Sequence, residues 1–239
     1  KRRTGDNLGF AFCGKDKDKH HGKAQVEEAV AQWQALKLLP CPVHTVDQDV
    51  PLGTGHAVQQ AVPELERLAP KQVVILCGDV PLLTEASVAR LGAKEASILA
   101  MDLEDPAGYG RVLQRADGSL QGIVEKKDAS AEELRVRRVN GGAYSLPWSA
   151  LKPALAGLSN ANAQREYYLT DAVAAVAARL PVQVELCDPR ELLGMNSRLD
   201  QAELQRLAQH RINAHWMEAG VTMLAPETTV IGPRVTLAP

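Results

Sequence analysis

The chain is expected to fold as an α/β protein on a mostly parallel sheet with an antiparallel insertion. Three features predict it. Strand-like and helix-like stretches alternate along most of the 239 residues. The run Gln72–Cys77, Gln-Val-Val-Ile-Leu-Cys, is a continuous β-branched stretch, the mark of a strand covered on both faces. Near 111–146 the pattern changes: Arg111–Gln114 and Leu120–Glu125 flank Asp117-Gly118, which signals a hairpin.

Each element has its own local reason. Gln25–Leu39 places Val26, Ala29, Val30, Trp33 and Leu36 at helical spacing, and Pro40 and Pro42 end that helix. Val43–Val46 reads as a short strand. Thr54 can cap a helix through Ala57, Val58 and Ala61, which Pro63 breaks or restarts. Beyond the Gln72–Cys77 strand, Pro81 interrupts the chain and Thr84 caps a helix across Ala86–Leu91. Ser97–Leu103 and Arg137–Leu146 read as strands, the latter stopped by Pro147. Helices follow at Trp148–Leu158 and Tyr168–Arg179, then a strand at Val182–Cys187.

The last part differs. Leu199–Glu218 is one long helical pattern in which Leu204, Leu207, Ala208 and Ile212 share a face. In Val221–Pro239 the run Val230-Ile231-Gly232-Pro233-Arg234-Val235-Thr236-Leu237 spaces its aliphatic residues as hexapeptide repeats do. Two readings stay open there. One is the start of a parallel β-helix, whose coil needs about three or more repeats; the other is an ordinary C-terminal strand.

Composition narrows the function classes. Apolar residues at 45% and charged residues at 23% are ordinary for a globular protein, and the length allows one substantial domain, alone or with an appendage. A net charge of −2 gives no support for nucleic acid or an anionic membrane as the partner. Aromatic residues, at 4%, are too few for a base-stacking platform. No apolar run approaches the ~18 residues that span a bilayer. The basic start, Lys1-Arg2-Arg3, leads into Leu8–Cys13, too short for a signal-peptide core, so a cytoplasmic location is expected. Cys13, Cys41, Cys77 and Cys187 are scattered without a C-x-x-C pair, which favours reduced thiols over a zinc cage or disulfides. His20-His21, inside a Lys/Asp run, reads as a solvated loop rather than a metal site.

The candidate chemistry gathers after strand ends, where open α/β sheets bind ligands. Asp79, in Cys77-Gly78-Asp79-Val80-Pro81, either caps the following turn or stands as a single carboxylate at the ligand edge. Magnesium is gripped by one or two such ligands, with phosphate oxygens and water completing its octahedron. The turn Leu52-Gly53-Thr54-Gly55-His56 offers unencumbered backbone groups at a helix start, suited to a base edge or an anion. Gly108-Tyr109-Gly110-Arg111 makes either a bulge or a close approach to a ligand. Glu125 is either a surface acid or a site acid, and Glu166–Asp171 opens a helix with hydroxyls and carboxylates that capping alone can explain.

Taken together, these short motifs resemble a known family. Gln48…Leu52-Gly53-Thr54-Gly55-His56-Ala57, Gly78-Asp79-Val80-Pro81-Leu82 and Asp105-Pro106-Ala107-Gly108-Tyr109-Gly110-Arg111 come first. Ile123-Val124-Glu125-Lys126-Lys127-Asp128-Ala129, Asn140-Gly141-Gly142, Asn162-Ala163-Gln164, Glu166–Asp171 and Gly194-Met195-Asn196-Ser197-Arg198 follow in order. The series, over about 43–239, resembles the N-acetylglucosamine-1-phosphate uridylyltransferase half of the bifunctional bacterial enzyme that makes UDP-N-acetylglucosamine. The resemblance implies a Rossmann-like nucleotidyltransferase sheet, then a long helix and the start of a left-handed parallel β-helix. In the family that β-helix carries the acetyltransferase and assembles as a homotrimer; acetyltransferase activity is not expected of this chain.

Carried over position by position, the resemblance implies that Gln48, Gly53 and Thr54 contact the uracil. Asp79 would bind Mg²⁺ together with Asn196, and Cys77 and Gly78 would line the site near the ribose and phosphates. Gly110, Glu125, Asn140 and Thr170 would surround the N-acetylglucosamine moiety. The implied partners are UTP, N-acetylglucosamine-1-phosphate and UDP-N-acetylglucosamine, in cell-wall precursor synthesis. No catalytic general base is expected, because the attacking sugar-phosphate oxygen is already an anion.

Three departures accompany the match. Gly141 stands where Thr is usual, and Arg165 replaces a Gly before Glu-Tyr-Tyr. The family's glycine-rich Leu-x-x-Gly-x-Gly-Thr-x-Met loop and its Pro-Lys, which cradle the triphosphate, have no counterpart in residues 1–24. The expected division is therefore a leader at 1–24, a nucleotidyltransferase domain at 25–196, a linker helix at 197–219 and a truncated β-helix start at 220–239. Alternatives to a working transferase are an impaired sugar-nucleotide-binding fragment and an oligomerisation module.

Overall fold

Ligand-edge loops are set by a mixed sheet with helices on both faces. The computed structural model describes residues 44–238 and the backbone of Leu8–Cys13. The strands are β1 (Leu8–Cys13), β2 (Gln72–Cys77), β3 (Ser97–Asp102), β4 (Arg111–Gln114), β5 (Leu120–Val124), β6 (Arg138–Pro147) and β7 (Gln183–Leu186). The helices are α1 (Thr54–Gln60), α2 (Val62–Leu68), α3 (Glu85–Gly92), α4 (Trp148–Ala156), α5 (Leu169–Ala177) and α6 (Arg198–Glu218).

The main path of the sheet runs β1-β2-β6-β3-β7. β1 lies parallel to β2 and β3 parallel to β7, whereas β6 is antiparallel to both β2 and β3. Four strands of the path thus point one way, and β6 runs against them at its centre. The β4–β5 hairpin turns at Gly118, whose φ of 82° suits glycine, and β4 joins β6 through Arg111 and Val139. The expectation of a mostly parallel sheet holds only in part: among the described strands two of the six pairings are parallel and four antiparallel, because the insertion penetrates the main path.

Alternation along the strands feeds two cores. Val73, Ile75, Ile98, Ala100, Tyr144 and Leu146 pack with α4 and α5 residues such as Leu151, Leu155, Val173 and Val176. Their neighbours Val74, Leu76, Leu99, Met101, Val139 and Ala143 face the other way, with Leu91 and Leu192. Residues 73–75 have no exposed surface at all, and burying each such side chain stabilises the fold by about 1.5–3 kcal/mol. A strand so filled cannot slip by one residue without exchanging its two faces.

Some expectations shift. Leu8–Cys13, inside the segment read as a leader, pairs along its length with β2; the Gln25–Leu39 helix lies outside the described residues. Of Val43–Val46, residues 44–46 are irregular and exposed, without the burial that a sheet strand needs. Thr84 caps α3 as anticipated, its side chain accepting from the Ser87 N–H at 3.2 Å.

The ordinary C-terminal strand is not present: residues 221–238 form turns and irregular backbone, and no β-helix ladder is seen in them. They fold back on α6 through Asn213, only 1% exposed, which donates to the Pro226 carbonyl at 2.6 Å and the Thr229 carbonyl at 2.8 Å. Gln209 donates to Asn213 Oδ1 at 2.9 Å. A buried amide with its hydrogen bonds met by irregular backbone holds this segment without a ladder. On the predicted apolar face of α6 only Leu204 is fully buried, while Leu207, Ala208 and Ile212 are half-buried.

Candidate active site

The site begins where β2 ends. Cys77 closes the strand, Gly78 is exposed, and Asp79 follows half-buried in a turn closed by Val80 N–H onto the Cys77 carbonyl at 3.4 Å. The Met195 N–H donates to the Asp79 carbonyl at 2.8 Å. This backbone bond sets the loop carrying Asn196 directly against the loop carrying Asp79. Asn196 is itself held: its N–H donates to Asp200 Oδ2 at 3.0 Å, next to the Ser197 cap of α6. Its amide nitrogen lies 3.4 Å from where a Cβ on Gly194 would stand. Gly194 in turn donates to the Tyr109 hydroxyl at 3.3 Å.

A second group forms on the insertion. Thr170 Oγ1 donates to Glu125 Oε1 at 3.2 Å, and a Cβ on Gly110 would lie 3.5 Å from that same carboxylate. The Asn140 N–H donates to the Gly110 carbonyl at 2.9 Å, and Asn140 Nδ2 donates to the Tyr144 hydroxyl at 2.7 Å. Gly110, Glu125, Asn140 and Thr170 are therefore contiguous, although the first two lie on loops, the third on β6 and the fourth on α5. The register of β3 with β6 shifts between Ile98 and Ala100, opposite Gly141 and Gly142, and this bulge re-aims Asn140. Gly142 has φ of 69°, and a Cβ there would meet Cys77 Sγ at 2.8 Å. The close approach joins this second group to the end of β2.

The third group is the turn before α1. Gln48 Nε2 donates to the Gly53 carbonyl at 3.2 Å and contacts His56 Nδ1 at 2.9 Å. The turn docks on residues 167–169: Tyr167 N–H donates to the Leu52 carbonyl at 2.8 Å, and Gly55 N–H to the Tyr167 carbonyl at 2.8 Å. Two expectations are corrected. The turn's backbone is not unencumbered, since Leu52, Gly53 and Gly55 spend these groups on the protein. Thr54 does not cap α1; Gly53 holds the cap position with φ of 110°, and Thr54 Oγ1 accepts from the Leu169 N–H at 3.3 Å. The Thr54 hydroxyl so tends the start of α5, one residue from Thr170.

Two loops brace the arrangement. Asp128 accepts from the Ala163 N–H at 2.9 Å and from the Tyr168 hydroxyl at 3.3 Å, and Lys127 donates to Gln164 Oε1 at 2.8 Å. Burial pushes the Tyr168 phenol above its ordinary value, with the Gln164 hydrogen bond opposing, so the hydroxyl stays protonated and donates. Among the described cysteines, Cys187 is an inert thiol: burial, then the charge of Glu191, push it up to about 11.

The departures from the resembled pattern have local explanations. At Gly141 a Cβ would lie 2.3 Å from Leu192 Cδ1 and 2.9 Å from the Leu99 carbonyl, so Leu192 occupies the space a larger residue needs. Arg165 has φ of 55°, a left-handed conformation that costs a non-glycine residue about 1–2 kcal/mol. The side chain is exposed, so Arg165→Gly is expected to raise stability by about 0.5–1 kcal/mol, read as a higher urea midpoint at unchanged slope. An unchanged or lower midpoint would count against strain at this residue.

Tyr109 and Gly142 also build the site, and their roles depend on contacts with residues distant in the chain. Their signals were an aromatic between two glycines and a second glycine after Asn140-Gly141.

Comparisons with known proteins give the family. The family profile described as nucleotidyl transferase matches residues 20–221. The chain is 42% identical over 212 residues to the bifunctional protein GlmU of Alkalilimnicola ehrlichii, covering 87% of this chain and 44% of that protein. It is 48% identical over 186 residues to GlmU of Herminiimonas arsenicoxydans, covering 75% and 40%. For GlmU of Methylibium petroleiphilum the figures are 45% over 216 residues, covering 86% and 45%. The chain thus spans less than half the length of these relatives. In fold it is similar to a nucleoside-diphosphate-sugar pyrophosphorylase from Vibrio cholerae, with a TM-score of 0.54 at 12% identity, covering 82% of this chain and 80% of that one. Profile, relatives and sheet agree: the chain belongs to the nucleotidyl transferase family.

Proposed function

We propose that this chain transfers UMP from UTP to N-acetylglucosamine-1-phosphate, forming UDP-N-acetylglucosamine and releasing pyrophosphate. The observation that carries the reading is the hydrogen bond from Met195 N–H to the Asp79 carbonyl, which supports Asp79 and Asn196 acting on one bound group. Both residues offer hard oxygen donors, a carboxylate and an amide carbonyl, the kind Mg²⁺ accepts. When bound, Mg²⁺ neutralises charge on the phosphate oxygens and aligns them.

The protein's part is mainly positioning. The attacking oxygen belongs to a phosphate and is already anionic, so no side chain needs to remove a proton. Glu125, Asn140 and Thr170 present polar groups suited to sugar hydroxyls and an acetamide, and the Gly110 backbone approaches closely because it lacks a side chain. Gln48 and Gly53 hold the base side. Binding both substrates in line replaces a bimolecular encounter, an effect worth up to about 7–11 kcal/mol of barrier in well-aligned systems.

Pyrophosphate release with UTP, N-acetylglucosamine-1-phosphate and Mg²⁺ tests this directly. Turnover that requires both substrates and the metal is the expected result. UDP-N-acetylglucosamine binding without turnover would support the impaired-fragment alternative, and neither binding nor turnover would refute the sugar-nucleotide reading.

A further inference from the structure

Three consecutive backbone N–H groups in the loop before α6 are held by three different parts of the molecule. Gly194 N–H donates to the Tyr109 hydroxyl at 3.3 Å, Met195 N–H to the Asp79 carbonyl at 2.8 Å, and Asn196 N–H to Asp200 Oδ2 at 3.0 Å. Residues 193–196 have no repeating secondary structure, and Met195 and Asn196 are exposed. Burial therefore does not place Asn196; these bonds do. The Tyr109 bond reaches furthest along the chain, over 85 positions, from the loop that leads into the hairpin.

Tyr109 is itself fixed. Its N–H donates to the Pro106 carbonyl at 3.1 Å, and its carbonyl accepts from Nη1 of the buried Arg111. Its ring packs on the core that holds Leu99, Val139 and Leu192. A ring held by packing, with its backbone bonded at both ends, presents its hydroxyl at one place. The next residue, Gly110, belongs to the group with Glu125, Asn140 and Thr170, so Tyr109 joins that group to the Asn196 loop.

We propose that Tyr109 is a positioning residue whose hydroxyl pins Gly194 and so aims the Asn196 amide at the ion shared with Asp79. The inference rests on the uridylyltransferase reading, in which Asp79 and Asn196 hold Mg²⁺. A loop that must first be ordered before its amide can bind pays that entropy out of metal affinity. Groups that orient a ligand act on how tightly the metal is held. Tyr109 touches neither the ion nor the substrates in this role.

The test uses Tyr109→Phe in the full chain, which keeps the ring in its core and removes only the acceptor. In the metal-free protein the Gly194 amide, followed by hydrogen exchange in NMR spectra, is expected to exchange about fivefold faster, the scale of one hydrogen bond. The Mg²⁺ concentration for half-maximal pyrophosphate release is expected to rise about fivefold as well. At saturating Mg²⁺, kcat and the KM for N-acetylglucosamine-1-phosphate should stay within about twofold, a split that general loosening of the fold would not give. In an Asn196→Ala background, removing the hydroxyl should change the Mg²⁺ requirement no further. An unchanged Mg²⁺ requirement, a raised sugar-phosphate KM in its place, or effects of the two substitutions that multiply would each overturn the inference and leave the uridylyltransferase reading intact. Absence of magnesium-dependent turnover in the unaltered chain would overturn both.

Discussion

Asp79→Ala is expected to lower magnesium-dependent pyrophosphate release by about 100-fold or more, the cost of removing one preorganised group that acts on transition-state charge. The reasoning separates backbone from side chain. The bond that joins the 195–196 loop to the end of β2 uses the Asp79 carbonyl, which alanine retains. The side chain is half-buried in a turn, outside both cores. Folding should therefore survive, with an unfolding midpoint near that of the unaltered chain, while metal dependence is lost. Turnover at a normal rate, with a normal magnesium titration, would remove Asp79 from the mechanism. Loss of turnover together with loss of folding would instead mark it as a structural cap, the other reading of this residue.

Gly53→Ala should have the largest structural effect. Gly53 combines φ of 110° with ψ of 171°, a region essentially reserved for glycine. A Cβ there would stand 2.7 Å from the Tyr167 carbonyl, 2.9 Å from Glu166 Cβ and 3.0 Å from the Tyr167 N–H. Two of these atoms are backbone and cannot rotate away. Strain and overpacking each cost about 1–3 kcal/mol, so a loss of about 3 kcal/mol is expected in a urea titration. The docking of residues 52–55 on 167–169 should loosen with it, weakening nucleotide binding more than a surface glycine would. Gly108→Ala is the control, since a Cβ there meets nothing within 4 Å; equal losses at 53 and 108 would show that close approach is not the cause.

How much of this could be read from residues alone follows from how local each signal is. The β2 strand, the hairpin around Gly118 and the Thr84 cap rest on contiguous residues, and each lies where the sequence puts it. The order of the motifs named the family, because many short fragments at fixed spacing are specific even when each is weak. Contacts between distant segments were not legible. Nothing local says that Thr54 serves the start of α5 rather than its own helix, since that bond spans 115 positions. Nor does the aliphatic spacing after Val221 reveal that Asn213 would engage that segment's carbonyls; an amide on a helix face signals solvent unless its partners are known. The bulge at Gly141 and Gly142 was likewise hidden. A Cβ at either glycine would run into Leu192 or Cys77, residues distant in the chain.

The grouping of Glu125, Asn140, Thr170 and Gly110 lies between these extremes. Its members were named by resemblance, and their contiguity comes from three-dimensional packing: α5 lies over the hairpin, and β6 bends past Gly110.

The most direct measurement is a crystal structure of the chain with Mg²⁺ and UDP-N-acetylglucosamine. The prediction is one octahedral ion with an Asp79 carboxylate oxygen and the Asn196 amide oxygen both at about 2.1 Å. An ion bound elsewhere, or a sugar nucleotide seated away from the end of β2, would contradict it.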